Sequence, residues 1–235
     1  IGMLHVFTPD RFEETCDLNP PWSQLKMYGR METQLAHSYN GLHWVRSDRK
    51  PFMPLRDYGL QGGGMVYGME MLRTADDKLL FYAHSTPGGH GDAADIHRAG
   101  LDTTGFESPM LYEMRLDGFC SLETWGYRGV LRTKTIAPKS GQISFNVRTM
   151  AHTEIRVQIL DGQTAEPIPG YTWDEAVPIS GDHLFAEPRW KQRKDISELV
   201  DRPIRIDIAM REAELFAIRV EGEALYACEP LQTLW

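Results

Sequence analysis

Ile204-Arg205-Ile206-Asp207-Ile208-Ala209-Met210 places an apolar side chain at every second position, with polar or small residues between them. That period of two is the signature of a strand with one buried and one wetted face. The same alternation recurs in Gln142–Val147, where Ile143, Phe145 and Val147 are apolar, and in Glu154–Ile159, where Ile155, Val157 and Ile159 are. Asp161-Gly162 then supplies a turn, and Phe216, Ile218 and Val220 repeat the pattern before Glu221-Gly222. Helical spacing is nearly absent; the one short helical turn expected lies near Asp195–Leu199, with Asp195 as cap and Glu198 three residues on. These features predict an all-β chain, with an antiparallel β-sandwich over 129–235.

Residues 1–128 have a different texture. Their strands are shorter and more aromatic (Met3–Phe7, Gln34–His37, Met65–Leu72, Lys78–Tyr82 and Ser108–Leu116) and the connections are rich in Gly and Pro. Such spacing suits a propeller or an irregular sheet. Gly126-Tyr127-Arg128-Gly129 reads as the seam between the two halves.

Composition narrows the function classes. The 235 residues are 42% hydrophobic and 25% charged, which is enough apolar material for a core and excludes intrinsic disorder. No uncharged apolar run is long enough to form a membrane-spanning helix. A formal charge of −8 argues against a nucleic-acid surface or a polybasic membrane patch and favours a neutral or cationic ligand. Cys16, Cys120 and Cys228 are odd in number and far apart, so they read as incidental thiols and favour a reducing, cytoplasmic setting. The chain opens on Ile1-Gly2 with no basic-then-apolar leader, which reads as a processed chain or a piece of a longer one.

Several segments are candidates for chemistry. Ser38-Tyr39-Asn40-Gly41-Leu42-His43-Trp44 contains Asn-Gly, a two-residue hairpin signal, with Trp44 anchoring the returning strand. Gly62-Gly63-Gly64 lacks the following helix and Lys-Ser/Thr of a phosphate loop, so its glycines read as points of close backbone approach. Strict alternation along Gly64–Leu72 puts Tyr67 with the methionines and Glu70 with Val66 and Leu72. An apolar setting there would raise the Glu70 pKa and make it a candidate acid, against the plainer reading of a carboxylate paired with Arg73 or Arg115. Glu113 and Arg115 read as an ion pair. His84-Ser85-Thr86-Pro87-Gly88-Gly89-His90-Gly91-Asp92 gathers two imidazoles, hydroxyls and a carboxylate, and Asp95 and His97 continue it. It reads as a substrate-contacting loop, a metal loop or a solvated loop. Its spacing matches no metal motif, and no metal or other cofactor is assigned.

Ser38–Arg46 resembles the Ser-x-Asp-Gly-x-x-Trp-x-Arg blade motif of five-bladed propeller glycosidases, the invertase, inulinase and arabinanase-like group, with Asn40 in place of Asp. Arg115–Leu122 is similar to the exit from the propeller in bacterial relatives of that group. Gly170-Tyr171, Gly181-Asp182, Arg189-Trp190 and Ala213-Glu214-Leu215-Phe216 resemble parts of their C-terminal sandwich. The resemblance implies the last blade or blades of a propeller over 1–128 and a sandwich beyond, acting on a neutral glycoside or polysaccharide. It also implies that the nucleophile and stabiliser carboxylates come from a preceding segment or a partner chain, since neither motif maps onto this sequence. Within the chain, Glu70 and Asp92 are the nominated catalytic carboxyls, and His84, His90, Tyr67 and Trp44 the substrate contacts. The second reading is a non-catalytic carbohydrate-binding or assembly module, with an oligomer allowed for.

Overall fold

A computed structural model describes residues 1–14, 25–46, 48–100, 102 and 104–225. The chain is all-β and divides into two units, Ile1–Leu116 and Asp117–Trp235. The boundary falls ahead of the expected seam, because Gly126–Gly129 lies inside a strand of the second unit. Cys16 and Cys228 lie outside the described residues; Cys120 is exposed. Among the described residues no helix is long and apolar enough to cross a membrane.

The first unit is one open sheet in chain order, built from β1 (Gly2–Glu14), β2 (Leu25–Ala36), β3 (Met65–Arg73), β4 (Lys78–Thr86) and β5 (Ser108–Arg115). Neighbours are antiparallel except β2 and β3, which meet in parallel at Met31 opposite Met65. Thr33 takes over much of the work of a ladder there. Its buried hydroxyl donates to the Val66 carbonyl at 2.9 Å and accepts the Gly68 N–H at 2.8 Å. One face of the sheet buries Val66, Leu79, Phe81 and Ala83. A seven-residue helix α1 (Asp92–Arg98), which the sequence reading did not anticipate, follows β4.

The glycine run does bring backbone against backbone: a Cβ on Gly64 would lie 1.8 Å from the Gly88 carbonyl oxygen. The Asn40-Gly41 turn differs from a two-residue hairpin. Only Gly41 takes positive φ (73°), and Asn40 Oδ1 accepts the N–H groups of Leu42 and His43, both at 2.9 Å. The Asn side chain supplies the turn, so its backbone need not.

The second unit comprises β6 (Leu122–Arg132), β7 (Ile136–Thr149), β8 (Ile155–Asp161), β9 (Asp182–Ala186) and β10 (Ile204–Ala224). The two apolar runs at 204–210 and 216–220 form a single 21-residue strand. Its first part pairs antiparallel with β6 and β8. Its second part lies along β7 in descending register, from Ala213 opposite Thr149 to Ala224 opposite Ile136, which is again an antiparallel run; Ile136 also lies opposite Ile204. β10 is therefore bent, and both of its ends meet the start of β7. The bend falls at Glu212 (φ 47°), between Arg211 and Ala213, where this one residue stands against Trp125, Gly126 and Tyr127 of β6. Across it the inward set changes from Ile204, Ile206, Ile208 and Met210 to Ala213 and Leu215. Both runs of the one strand thus feed the same core. Between them Phe145, Val147, Ile155, Val157 and Ile159 close the core, with the Tyr171 and Trp190 rings 4.9 Å apart. A 3-10 turn at Ser197–Leu199 occupies the expected helical position, and Asp195 Oδ1 accepts the Ser197 N–H at 2.9 Å.

Candidate functional site

The bulge between Gly68 and Glu70 decides what β3 presents. Strict alternation separates Tyr67 from Glu70, but the extra residue returns them to the same face. Register then places Tyr67 opposite His84, and Glu70 opposite Tyr82, which is itself opposite Leu111. Directly paired residues share a face, so Tyr67, Glu70, Leu72, Tyr82, His84 and Leu111 all lie on the side of the sheet away from Phe81. This face is open: Leu72 is 50%, Tyr82 43% and Leu111 55% exposed.

Glu70 is exposed as well, so it is not the buried carboxyl that strict alternation implied. The pairings suggested for it are also absent as drawn. Arg73 Nε donates to Asp77 Oδ1 at 3.0 Å, and Glu113 takes Lys78 Nζ at 2.9 Å across the strands in place of Arg115.

A row of rings crosses the same face. His5 packs edge-on to Tyr67 with centroids 5.4 Å apart, and Tyr67 lies 5.8 Å from His84. His5 Nε2 is 3.0 Å from the Gly68 carbonyl, and His84 Nε2 is 3.7 Å from Glu107 Oε2. Burial and the Glu107 charge both push the Tyr67 phenol above its ordinary pKa, burial being the larger cause. Tyr67 is therefore a neutral hydrogen-bonding group at physiological pH.

Asp92 belongs elsewhere. It opens α1, accepts the Gly89 N–H at 2.7 Å and is bonded by the Tyr58 hydroxyl, whose pKa is raised first by burial and then by that bond. Tyr58, Pro87, Gly88, Asp92, Ile96 and Phe106 line a cleft of about 480 Å³, and Tyr28 donates to Asp95 at 2.6 Å beside it. Gly88 packs on Gly64, at the Met65 end of β3, while Glu70 lies five residues further on. At about 3.3 Å per residue that is roughly 16 Å along the strand. The two carboxyls are not the pair about 5–10 Å apart that glycoside hydrolysis needs.

The structure also separates the two imidazoles of the His84–Asp92 segment, of which residues 84–86 are strand. His90 turns to β2, with its N–H on Gly29 O and its Nδ1 on Met27 O, both at 2.7 Å, and its ring against Phe7. Trp44 is half exposed, rests on Gly2 and donates Nε1–H to Gly41 O at 3.0 Å. Among the described residues no three His, Cys, Asp or Glu side chains converge to hold a metal.

Of the nominated residues, the fold gathers Tyr67, Glu70 and His84, and leaves Asp92, His90 and Trp44 apart. His5 and Glu107 were missed. Period two within Met3–Phe7 would have put His5 on one face with Met3 and Phe7, but which face, and next to what, depends on sheet order. These features define an all-β protein of two units, the first with an open aromatic and imidazole face. No family model, curated protein or solved structure matches the chain.

Proposed function

We propose that this chain is the C-terminal part of a propeller-type glycoside hydrolase acting on a neutral glycoside or polysaccharide. In this reading its first unit is a terminal blade, and the hydrolytic carboxylates are completed by a preceding segment or partner chain. The observation that carries the reading is the open face of the β3–β4–β5 sheet. Leu72, Tyr82 and Leu111 stand exposed in neighbouring rows, the kind of apolar patch that marks a contact surface. The blades of a propeller cover such faces. Tyr67, Glu70 and His84 on that same face would then border a sugar site. The motif placement is compatible: Tyr171 and Trp190 are core, and Gly170 and Gly181 sit at positive φ.

A second reading, a non-catalytic carbohydrate-binding or assembly module, is favoured by one observation, the separation of Glu70 from Asp92. Hydrolysis of aryl glycosides and oligofructans, by the chain alone and after addition of the upstream segment or a co-purifying polypeptide, tests both. The proposed function expects turnover only in the mixture. Turnover by the chain alone, abolished by Glu70→Gln, overturns it. No turnover in either arm, with saccharide binding retained, leaves the binding module.

A further inference from the structure

In the second unit, β6 and β10 set Arg128 directly opposite Arg211. One row on, Ala209 lies between Val130 on β6 and Arg156 on β8. Residues i and i+2 share a face, so Arg128, Arg156 and Arg211 stand on one side of the sheet. The small side chain of Ala209 leaves depth between them. The result is a cleft of about 490 Å³ lined by these three arginines with His152, Glu154 and Glu212.

Like charges directly opposite each other in a sheet are destabilising, and here the protein does little to relieve them. Arg156 Nε is held by Glu154 Oε1 at 2.6 Å. Among the described residues neither Arg128 nor Arg211 has a carboxylate within ion-pair distance, Glu212 included. The Arg128 guanidinium lies 5.9 Å from the centre of the Trp173 ring. Three guanidiniums face two carboxylates, so the cleft is locally positive on a chain of net charge −8. An oxyanion placed between Arg128 and Arg211 would turn their repulsion into two charge-assisted hydrogen-bonding partners, which guanidinium forks are shaped to give.

We propose that this cleft binds an oxyanion carried on a sugar ring, specifically the carboxylate of a uronic acid. The ring is inferred from the aromatics around it. The Trp173 ring lies beside the Arg128 guanidinium, and Trp125, 64% exposed, lines a neighbouring cleft that shares Glu212. Rings of this kind offer flat apolar faces with polar tips to a sugar. That the anion's carrier is a saccharide rests on the carbohydrate reading above; that the cleft takes an oxyanion does not. Gly126–Gly129 reads from sequence as a seam, and the net charge of the whole chain favours a neutral or cationic ligand. The local field here has the opposite sign.

Isothermal titration of the whole chain tests this with four probes: an oligogalacturonate, a neutral galactan oligomer of the same length, a sulfated oligomer, and citrate. The expected result is binding of the uronate at least tenfold tighter than of the neutral oligomer. It should weaken with added salt and fall at least tenfold in Arg128→Gln and in Arg211→Gln. Both substitutions relieve a like-charge contact at exposed positions, so the ligand-free melting temperature should hold or rise, which separates lost binding from lost fold. Equal affinity for the neutral oligomer, unmoved by either substitution, overturns the oxyanion while leaving the carbohydrate reading intact. Citrate binding as tightly as the uronate keeps the oxyanion site and overturns its sugar carrier. Tighter binding of the sulfated oligomer overturns the carboxylate in favour of a sulfate ester. No binding of any anion overturns the whole proposal.

Discussion

The first unit lays five strands side by side in chain order, whereas the second folds β6, β7 and β8 around the bent β10. Both rely on period-two alternation and both break it, at Met69 in one and at Glu212 in the other. The outcomes differ because of what lies opposite. At Glu212 the parity flip keeps apolar residues facing inward across a corner, and Ile204, Ile206 and Ile208 are wholly buried. At Met69 the flip gathers Tyr67, Glu70 and Leu72 on a face that stands largely open among the described residues. A break in alternation therefore completes a core in one sheet and presents a surface in the other.

The contrast can be broken by substitution. Ile206→Ala should cost about 2–5 kcal/mol, the range for deleting a buried aliphatic side chain, whereas Leu111→Ala should stay within about 0.5 kcal/mol. Urea unfolding measures both, and a comparable loss at Leu111 would mean that its face is covered in solution. Arg132→Ala takes the guanidinium from the buried carboxylate of Asp207, which Arg132 grips through Nε at 2.7 Å and Nη2 at 2.9 Å. Gln158 Nε2 at 3.3 Å remains as a partner and half of Arg132 is in water, so the loss in the same assay should be measurable but smaller than at Ile206. Gly64→Ala should cost about 1–3 kcal/mol by forcing β3 off Gly88, with the loss confined to probes in the first unit if the two units unfold separately.

Smaller effects sharpen the comparison further. Leu72→Lys with Leu111→Lys should lower self-association in light scattering with little change in melting temperature. Association that persists would place the contact elsewhere. The smallest expected effect is at acid pH. Asp161 accepts the N–H groups of Gln163 and Thr164 and the Arg202 guanidinium, at 2.9, 3.1 and 2.9 Å. These contacts, Arg202 foremost, hold its carboxyl below the usual range. A depressed folded-state pKa contributes stability that is present above the unfolded value of about 3.9 and is lost as pH falls toward the folded one. Melting temperature should therefore drop less steeply below about pH 4 in Asp161→Asn than in the parent. Parallel curves would remove Asp161 from the account.

Strand identity was legible because alternation is local. Every strand named from the sequence has a counterpart, from Met3–Phe7 in β1 to Phe216–Val220 in β10. What alternation does not encode is where it breaks. Glu70 looked apolar-facing because the count from Met65 assumed no bulge, and 204–210 and 216–220 looked like two strands because Glu212 interrupts the pattern. The candidate site suffered more, since it depends on which strands become neighbours. His5 and Tyr67 are 62 positions apart, and nothing in either segment announces the other. Arg128 and Arg211 carry no local signal at all; only the β6–β10 register brings them together. The helix at Asp92–Arg98 was hidden by its length, two turns with little room for an apolar stripe.

The placement of β10 also bears on how the second unit is made. Synthesis delivers β6, β7 and β8 well before the strand that pairs with all three. At about 5–20 residues per second, the interval between Leu122 and Ala224 leaving the ribosome is roughly 5–20 s. During that time the edges that β10 will occupy stand open, and the nearest nascent copies on the same message expose the same edges. The slow, non-local closure typical of such topologies thus falls on a chain that is still being built, and the yield of folded protein depends on keeping those edges apart until the last long strand arrives.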